Sequence, residues 1–593
     1  MRSRYPSPML RPLLALSAVV LLLVPVFDSS PVRIPVAAGT AGSDSTPHPP
    51  KFRFADIARQ AGLTARLVYG GQRTKKYILE STGSGVGVID YNGDGWPDIF
   101  LVNGWKLGGY PAGESPTAHL YRNNRDGTFT DVTQQAGVSL EGWGQGVCAG
   151  DYNNDGNTDL FVTYWGHDVL LRNNGNGTFT DVTKQAGLWQ PGTHWSTGCA
   201  FVDTTNDGRV DLFVSEYVDF PASVLQDAGF ASACDWMGLK VFCGPMNLPG
   251  SRNELFRNNG NGTFTNVSEA SGIGKAPPGY CFSPVTADFE NDGWPDIYVA
   301  CDSSASLLYR NNRNGTFTET GLEAGVSFSG DGYLQSGMGA DAGDYTGDGR
   351  LDIVKTNFSH DTPTLYYNRG DGTFSDRTNE ARLGMHNNYV GMGVLFADLD
   401  DDGWPDIFMA NGHVYPELRT RHDMDITYRE PRLLYWNEGN GTFRDVSADA
   451  GPGVTTPEDS HGLAAADFDN DGSLELLINN TEGPPSLLKN EIPNGNHWVD
   501  IQLIGTRANR DAIGARVTLE AGGHQQIEEV RSGGSFLSQD SLRLHFGLGK
   551  AKRVDWLKIR WPIQPPDEET LKDVPADQIL TIREGAGIVA RSR

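Results

Sequence analysis

Residues 120–129 read Leu-Tyr-Arg-Asn-Asn-Arg-Asp-Gly-Thr-Phe. An apolar strand start is followed by a turn that contains Asp-Gly, and then by a second strand that begins with Thr-Phe. Asn, Asp and Gly tolerate the positive φ angles that tight turns require, so the pattern predicts a β-hairpin. It recurs in the segments that begin at Leu170, Leu255, Leu308, Leu365 and Leu434.

The hairpin pattern is incomplete at both ends of the array. Residues 52–62 have the shape of the second strand and its continuation, whereas residues 487–490 have only the first strand. We expect these halves to pair, so that the N-terminal strand completes the last repeat and closes a ring. A parallel solenoid is the alternative, but its rungs are shorter and it leaves no complementary half-hairpins.

A second pattern lies between successive hairpins and occurs seven times. Its first copy, at residues 90–98, reads Asp-Tyr-Asn-Gly-Asp-Gly-Trp-Pro-Asp, and successive copies start 52 to 85 residues apart. That interval fits one four-stranded unit with variable loops, so the sequence predicts an all-β fold with a seven-bladed β-propeller at 52–493. These acidic loops, numbered 1 to 7 in chain order, occupy residues 90–98, 151–159, 203–211, 288–296, 344–352, 398–406 and 467–475.

Each acidic loop presents oxygen ligands for a cation. Positions 1 and 5 are always Asp, position 6 is always Gly, and position 9 is Asp or, once, Glu. An all-oxygen, carboxylate-rich set in a flexible loop favours Ca²⁺ over Mg²⁺. We therefore predict up to seven Ca²⁺ ions, with these ligands: Asp90, Asn92, Asp94, Asp98, Asp151, Asn153, Asp155, Asp159, Asp203, Thr205, Asp207, Asp211, Asp288, Glu290, Asp292, Asp296, Asp344, Thr346, Asp348, Asp352, Asp398, Asp400, Asp402, Asp406, Asp467, Asp469, Asp471 and Glu475.

The simpler interpretation is that Asp and Gly only make good turns. It does not account for 24 carboxylates at the ligand positions, which would repel one another without a cation. Seven Ca²⁺ ions would offset about half of the net charge of −26. An excess of 74 acidic over 48 basic residues also argues against an extended nucleic-acid surface.

The repeat patterns stop before residue 494, and the remaining 494–593 are predicted to form a small β-sandwich domain. Alternating strands are bounded there by Gly-rich turns. The predicted strands are 498–504, 515–520, 526–531, 542–546, 554–561 and 579–582.

The acidic loops and hairpins resemble the FG-GAP/VCBS repeat of integrin α-subunit propellers. This resemblance implies that calcium is held on one face and that ligands usually bind on the other. Residues 510–517, 533–539 and 544–549 resemble an ASPIC/UnbV domain. A propeller of this kind followed by such a domain resembles the cartilage acidic protein family, whose molecular function is poorly defined.

Residues 1–38 are predicted to be a secretory signal peptide or, alternatively, an uncleaved N-terminal anchor. Arginines precede an apolar run at 13–27, which is shorter than the roughly 20 residues of a membrane span. Residues 39–51 have the composition of a linker. We expect a secreted, periplasmic or cell-surface protein that contacts a membrane only through an uncleaved N-terminal segment.

Six cysteines fit an oxidising compartment. Cys234 and Cys243 lie in one insertion and are expected to pair, and Cys281 and Cys301 flank a strand pair and could face each other. Whether Cys148 and Cys199, which start strands in neighbouring repeats, pair or remain buried thiols is left open.

The chain has no nucleophile elbow, phosphate loop or zinc spacing. We therefore expect a binding or adhesion module for an extracellular protein or glycan rather than an enzyme. The alternative is a propeller enzyme that acts on a polysaccharide or another exported substrate. Its general base or ligand would be one of the histidines near the propeller mouth, which are more simply explained as hydrogen-bonding loop residues: His194, His360, His386, His413 and His461.

The long insertions indicate a binding face. In an antiparallel meander the acidic loops and the hairpin turns emerge at one end, so the insertions 104–118, 217–253 and 412–432 emerge at the other. Long loops on a rigid scaffold commonly carry recognition, so we expect Trp236 and His413 to contribute to ligand binding. The alternative is that the aromatic residues of 217–253 only pack the insertion onto its own repeat: Tyr217, Phe220, Phe230, Trp236 and Phe242.

Overall fold

A computed structural model describes residues 51–226, 234–493 and 495–592. The predicted signal peptide, nearly all of the predicted linker, Phe230 and the predicted boundary residue 494 lie outside these ranges. Within the described ranges no helix has the length and apolar character needed to cross a membrane.

Within the described residues, seven structural repeats of four antiparallel strands follow one another, and the acidic loop of each repeat joins its first strand to its second. Repeat 1 contains Val86–Ile89, Asp98–Leu101, His119–Asn123 and Phe129–Asp131. Repeat 2 contains Trp143–Gly150, Asp159–Gly166, Val169–Asn173 and Phe179–Asp181. Repeat 3 contains His194–Val202, Asp211–Glu216, Glu254–Asn258 and Phe264–Asn266. Repeats 2 and 3 also join through a short pairing of Trp195 with Trp165.

The remaining repeats follow the same order. Repeat 4 contains Cys281–Ala287, Asp296–Cys301, Leu307–Asn311 and Phe317–Glu319. Repeat 5 contains Gly337–Gly343, Asp352–Asn357, Thr364–Asn368 and Phe374–Asp376. Repeat 6 contains Gly391–Ala397, Asp406–Asn411, Leu433–Asn437 and Phe443–Asp445. Repeat 7 contains Ser460–Ala466, Glu475–Asn480, Ser486–Asn490 and, as its fourth strand, Phe54–Asp56.

The two half-hairpins do pair, because Phe54 lies opposite Asn490 in antiparallel register. The first strand of each repeat lies beside the first strand of the next, and that of repeat 7 lies beside that of repeat 1. The array is therefore closed, as predicted from its incomplete ends.

Short elements occupy the connections. The α-helices are Thr133–Ala136, Ser268–Ser271, Gly321–Ala324 and Pro452–Thr455. The 3₁₀ helices are Ile78–Glu80, Ala222–Gln226, Pro245–Asn247, Ile273–Lys275, Pro416–Thr420 and Ser447–Asp449. Two small strand pairs join Leu67–Val68 to Glu482–Gly483 and Cys234–Trp236 to Leu239–Val241.

The C-terminal β domain consists of two four-stranded sheets whose apolar residues share one buried cluster. In spatial order, one sheet contains Leu544–Gly549, His497–Ile504, Gln578–Arg583 and Gly587–Ser592. The other contains His524–Glu529, Arg516–Ala521, Arg553–Trp561 and Asp567–Pro575. Two of these strands, Asp567–Pro575 and Gly587–Ser592, were not predicted from the sequence.

Residues 532–540 of this domain, the plug segment, enter the space inside the ring of first strands. In repeat 1, Gln539 N donates to Val86 O at 2.8 Å and Gln539 O accepts from Val88 N at 2.9 Å. The segment also contacts the first strand of every other repeat, through Val147, Phe201, Phe282, Ala340, Val394 and Ala465. A Cβ atom on Gly85 would lie 1.9 Å from Leu537 O, so this glycine makes room for the segment.

Three disulfides form: Cys148–Cys199, Cys234–Cys243 and Cys281–Cys301. Both pairs expected from the sequence are present. Cys148 pairs with Cys199, so these two residues are not buried thiols. Three such bonds indicate an oxidising, extracytoplasmic compartment.

Candidate metal centres and ligand face

The acidic loops share one hydrogen-bond pattern, which loop 1 illustrates. The Asp90 carboxylate accepts from Asp94 N at 3.0 Å and from Gly95 N at 2.7 Å, and Asp94 accepts from Trp96 N at 3.0 Å. The same donations from positions 5, 6 and 7 to positions 1 and 5 occur in the other six loops. The loop backbone thus holds the carboxylates of positions 1 and 5 in place.

Backbone conformation explains two of the loop positions. The glycine at position 6 has φ between +82° and +95° in all seven loops. Position 4 also has positive φ in every loop, between +51° and +69°, and is always Gly, Asn or Asp. These residue types tolerate the left-handed region. Position 4 was not recognised from the sequence, although its restricted composition is a signal.

The carboxylate at position 9 is buried in every loop. In loop 1, Asp98 Oδ1 accepts from Asn123 N at 2.7 Å. Burial, reinforced by Asp90 and Asp94, raises the pKa of Asp98 to about 8. Burial likewise raises the pKa of Asp203 to about 8. These shifts are expected for carboxyl groups that are buried and lie near other carboxylates.

The donor set fits a hard divalent cation. Ligand atoms of Asp398, Asp400 and Asp402 lie within 4.8 Å of one another in loop 6. Those of Asp467, Asp469 and Glu475 do so in loop 7. In loop 7, Asp469 Oδ1 and Glu475 Oε1 are buried and accept no hydrogen bond from the described residues. The same holds for Asp352 Oδ2 in loop 5. These clustered carboxylates are consistent with metal binding.

One contact to the loops was missed at the sequence level. In repeats 3 to 6 it comes from the third-strand residue two positions after the leucine that starts the hairpin, whose side chain reaches the acidic loop of the same repeat. The contacts are Arg257 to Asp211 at 3.2 Å, Arg310 to Glu290 at 3.1 Å, Tyr367 to Asp348 at 3.0 Å and Trp436 to Asp400 at 3.2 Å. The sequence did contain a signal for this contact, because a charged or polar aromatic residue stands inside an otherwise apolar strand.

Loop 7 has a lysine at this position. Lys489 Nζ contacts the Asp469 carboxylate and lies 3.6 Å from Asp471 and 3.8 Å from Glu475. Burial lowers the pKa of Lys489, but the surrounding carboxylates raise it more strongly. Loop 7 therefore already has one positive charge beside its carboxylates.

A buried asparagine at the end of each third strand links neighbouring repeats. Its side-chain amide donates to the carbonyl at position 2 of the acidic loop in the preceding repeat, at 2.6 to 3.0 Å. The pairs are Asn123 with Phe468, Asn173 with Tyr91, Asn258 with Tyr152, Asn311 with Thr204, Asn368 with Phe289, Asn437 with Tyr345 and Asn490 with Leu399.

The C-terminal domain covers the face that carries the acidic loops. Several of its contacts are to position 4, the left-handed residue of the loop. Arg510 N donates to Asn154 at 2.8 Å, Arg516 to Asn291 at 2.8 Å, Arg543 to Asn470 at 2.7 Å, and His545 pairs with Asp401 at 3.0 Å. This face is therefore an interface within the chain.

On the opposite face, the insertion 217–253 reaches beyond its own repeat. The half-buried Trp236 ring lies 4.9 Å from His413 and 5.4 Å from Tyr415, both in repeat 6, and 6.4 Å from Phe358 in repeat 5. The aromatic residues therefore do not only pack the insertion onto its own repeat.

Of the candidate histidines, His360 and His413 contact the same Trp236 ring, whereas the other three have separate partners. His413 is 0% exposed, and burial lowers its pKa to about 3. His461 is equally buried, with Nδ1 at 3.0 Å from Gly83 O. His194 Nε2 lies 3.2 Å from Pro191 O, His386 pairs with Asp445 at 2.6 Å, and the His360 ring lies 6.2 Å from Trp236.

Exposed large apolar side chains are concentrated on the insertion face. Eight are found among the described residues, and seven of them lie in connections from second to third strands or between repeats. Those connections emerge opposite the acidic loops. The seven are Trp189, Met237, Met246, Leu322, Tyr333, Leu334 and Met385; the eighth, Val589, lies in the C-terminal domain.

A closed array of four-stranded antiparallel sheets, here with the acidic loops at one end, is a β-propeller. Residues 505–589 match the ASPIC and UnbV family. The FG-GAP-like repeat family matches residues 90–162, 151–214, 241–299, 288–355, 356–409 and 423–478. The chain therefore belongs to the FG-GAP-like repeat family and carries a C-terminal ASPIC and UnbV domain.

The curated relatives are distant. Cartilage acidic protein 1 of Xenopus tropicalis is 27% identical over 313 residues, which are 50% of this chain and 44% of that protein. The Homo sapiens protein of the same name is 26% identical over 316 residues, 47% of this chain and 43% of that protein. The chain thus matches less than half the length of these relatives.

Among solved structures, a lectin from Agrocybe aegerita, described by its specific recognition of non-reducing terminal N-acetylglucosamine, is similar with a TM-score of 0.37. The two chains are 18% identical, and the match covers 68% of this chain and 86% of the lectin.

Proposed function

We propose that this protein is a secreted, periplasmic or cell-surface calcium-binding module, a seven-bladed β-propeller that binds an extracellular protein through its insertion face. The closed array of seven repeats supports the blade count. The three disulfides support an exported location.

Calcium would be held by positions 1, 3, 5 and 9 of up to seven acidic loops. The role proposed for it is structural: it neutralises carboxylates that the loop backbone already holds close together. Because the C-terminal domain covers these loops, the cations stabilise an internal interface rather than bridge to a partner.

The distribution of exposed apolar side chains carries the binding proposal. Met246, Tyr333 and Met385 are 73%, 73% and 75% exposed and lie on the insertion face. Methionine and tyrosine are enriched in protein interfaces, and exposed apolar surface on a soluble protein commonly marks one. Trp236 belongs to the same insertion as Met246 and is half-buried, and its ring lies 4.9 Å from that of the fully buried His413.

The test is capture of a partner by the calcium-loaded protein from the native exterior. The variant Met246→Ser, Tyr333→Ser, Met385→Ser should lose the captured protein while keeping its melting temperature. The matched control is Val589→Ser, which alters an exposed apolar residue of the C-terminal domain. Capture that survives the triple variant but is lost in the control would overturn the assignment.

Point changes are preferable to replacing residues 217–253. Tyr217, Phe220 and Phe242 of this insertion are 0–2% exposed and belong to the buried cluster that contains Phe536 of the plug segment. Removing them would disturb the core as well as the surface. If the protein binds to a glycan array and the same triple variant abolishes that binding, the insertion face remains the binding site and the partner is a glycan.

A further inference from the structure

A cavity of about 110 Å³ lies beneath the insertion 217–253, where the plug segment meets the insertion face. Its lining includes six aromatic residues, among them Tyr217, Phe282, Phe358, Tyr415 and Phe536. The Tyr217 and Phe282 rings stack at 4.4 Å, and Phe536 lies 5.4 Å from Phe282. Four repeats and the C-terminal domain thus contribute to one small chamber.

Asp302 is the one acidic residue among the described lining residues, which include no Lys, Arg or His. It is 6% exposed, and its carboxylate accepts from Tyr217 Oη at 2.6 Å and from Ser303 Oγ at 2.8 Å. No ion pair to Asp302 forms within the described part of the chain. Burial raises the pKa of its carboxyl.

The backbone beside Asp302 is unusual. Ser303 has φ of +50°, which residues other than glycine adopt uncommonly. Its hydroxyl contacts Asp302 and lies 3.0 Å from Ser336 Oγ. Ser303 and Ser336 also line the cavity, so the strained residue belongs to the chamber.

We propose that this cavity binds a small methylated ammonium group, with Asp302 as its counter-ion and the aromatic rings as its walls. A buried carboxylate is unfavourable without a cation. Aromatic faces attract quaternary ammonium groups, most strongly when these are desolvated. A cavity of about 150 Å³ accommodates benzene, so one of 110 Å³ is large enough for a compact group of a few heavy atoms. This site goes beyond the proposed function, because it does not depend on a macromolecular partner.

The first experiment compares ligands of the same shape that differ in charge. Each is titrated into the full-length calcium-loaded protein in a calorimeter. Choline and tetramethylammonium should bind saturably, and 3,3-dimethyl-1-butanol, the uncharged shape analogue of choline, should bind at least about tenfold more weakly. Equal binding of choline and the alcohol, or no binding of either ammonium compound, would overturn the proposal. Phosphocholine distinguishes the two sources of the ammonium group. If it binds as tightly as choline, the group is presented by a larger molecule; if it does not bind, the ligand is a free cation.

The second experiment uses Asp302→Asn, which keeps the size of the side chain and removes its charge. Choline affinity should fall to the level of the uncharged alcohol. Asp361→Asn is the matched control, because Asp361 lies in a connection of repeat 5 and does not line the cavity. Retained choline selectivity in Asp302→Asn would overturn the role of the carboxylate. The comparison of ligands on the unaltered protein tests the proposal even where the variant does not fold.

Discussion

The side-chain amide of Asn123 donates to the backbone carbonyl of Phe468 at 2.8 Å, although 345 residues separate them in sequence. Asn123 ends the third strand of repeat 1, and Phe468 occupies position 2 of acidic loop 7. The bond therefore closes the ring of seven such contacts. Since each contact ends on an acidic loop, the conformation of every loop is coupled to the adjacent repeat.

Asn123→Ala should destabilise the whole array rather than one repeat. The amide of Asn123 also donates to Pro97 O at 3.0 Å, so its removal leaves two carbonyls without this donor. Each unsatisfied buried group costs about 1–3 kcal/mol. Denaturant unfolding of the calcium-loaded protein measures the loss. Asn124→Ala is the control, because Asn124 bonds only to Thr128 and Thr130 of its own hairpin. Equal effects of the two variants would contradict a special role for Asn123.

Chelation of calcium should lower the melting temperature and broaden or shift a single transition. Loop 6 illustrates the reason: burial and neighbouring carboxylates raise the pKa of Asp400 to about 8 and that of Asp402 to about 6. Thermal melts in EDTA, in Ca²⁺ and in Ca²⁺ added back after EDTA test this. An unchanged melting temperature in EDTA would refute a structural role for the cations.

The pH dependence of stability should differ between the chelated and the loaded protein. Burial raises the pKa of Asp98, Asp203 and Asp467 to about 8. The pKa of an Asp in the unfolded chain is about 4. Between these values the folded chelated protein binds protons that the unfolded chain has lost, so its free energy of unfolding should fall as pH rises. Excess Ca²⁺ should remove this fall, since it binds the ionised form. Melts at several pH values, with and without EDTA, give the dependence of stability on pH in each state. Equal dependence in the two states would contradict the binding of Ca²⁺ to these ionised carboxylates.

Lys489→Met should increase the calcium affinity of loop 7. The lysine contacts Asp469 and lies 3.6 Å from Asp471, so it competes with a divalent cation for the same carboxylates. Methionine retains an unbranched side chain and removes the charge. Calcium titration followed by calorimetry should show one tighter site in the variant. Arg53→Met is the control, because Arg53 pairs with Glu491 outside the loop. An unchanged calcium affinity in Lys489→Met would mean that the lysine does not compete with the cation for these carboxylates.

Local patterns predicted the repeats because hairpins and acidic loops are short-range structures. The turn residues of 120–129 fix one hairpin, and the pairing of Phe54 with Asn490 follows from what each end lacks. The Asp567–Pro575 strand was missed because it begins with three consecutive acidic residues and lies at a sheet edge, where most of its side chains are not buried and no apolar alternation is required.

Contacts between distant segments could not be predicted in the same way. The packing of Trp236 against His413 depends on two insertions from different repeats that meet over the ring. Gly533 and Gly534 of the plug segment were interpreted as one of the Gly-rich turns, and its two apolar residues, Phe536 and Leu537, are too few to predict burial. Their burial depends on the space inside seven first strands, which no local sequence pattern specifies.

The plug segment should make the propeller and the C-terminal domain unfold together. Phe536 is 1% exposed and lies 5.4 Å from Phe282 and 5.8 Å from His461, in repeats on different sides of the ring. Phe536→Ala should therefore cost about 3–5 kcal/mol, as truncation of a buried Phe typically does. Denaturant unfolding, followed by tryptophan fluorescence and by circular dichroism, should give one coincident transition in the unaltered protein. The midpoint should move to lower denaturant in Phe536→Ala, whereas Val589→Ala, at an exposed site of the same domain, should leave it within about 0.5 kcal/mol. Two separate transitions in the unaltered protein, with only the C-terminal one shifted by Phe536→Ala, would show that the plug does not couple the domains.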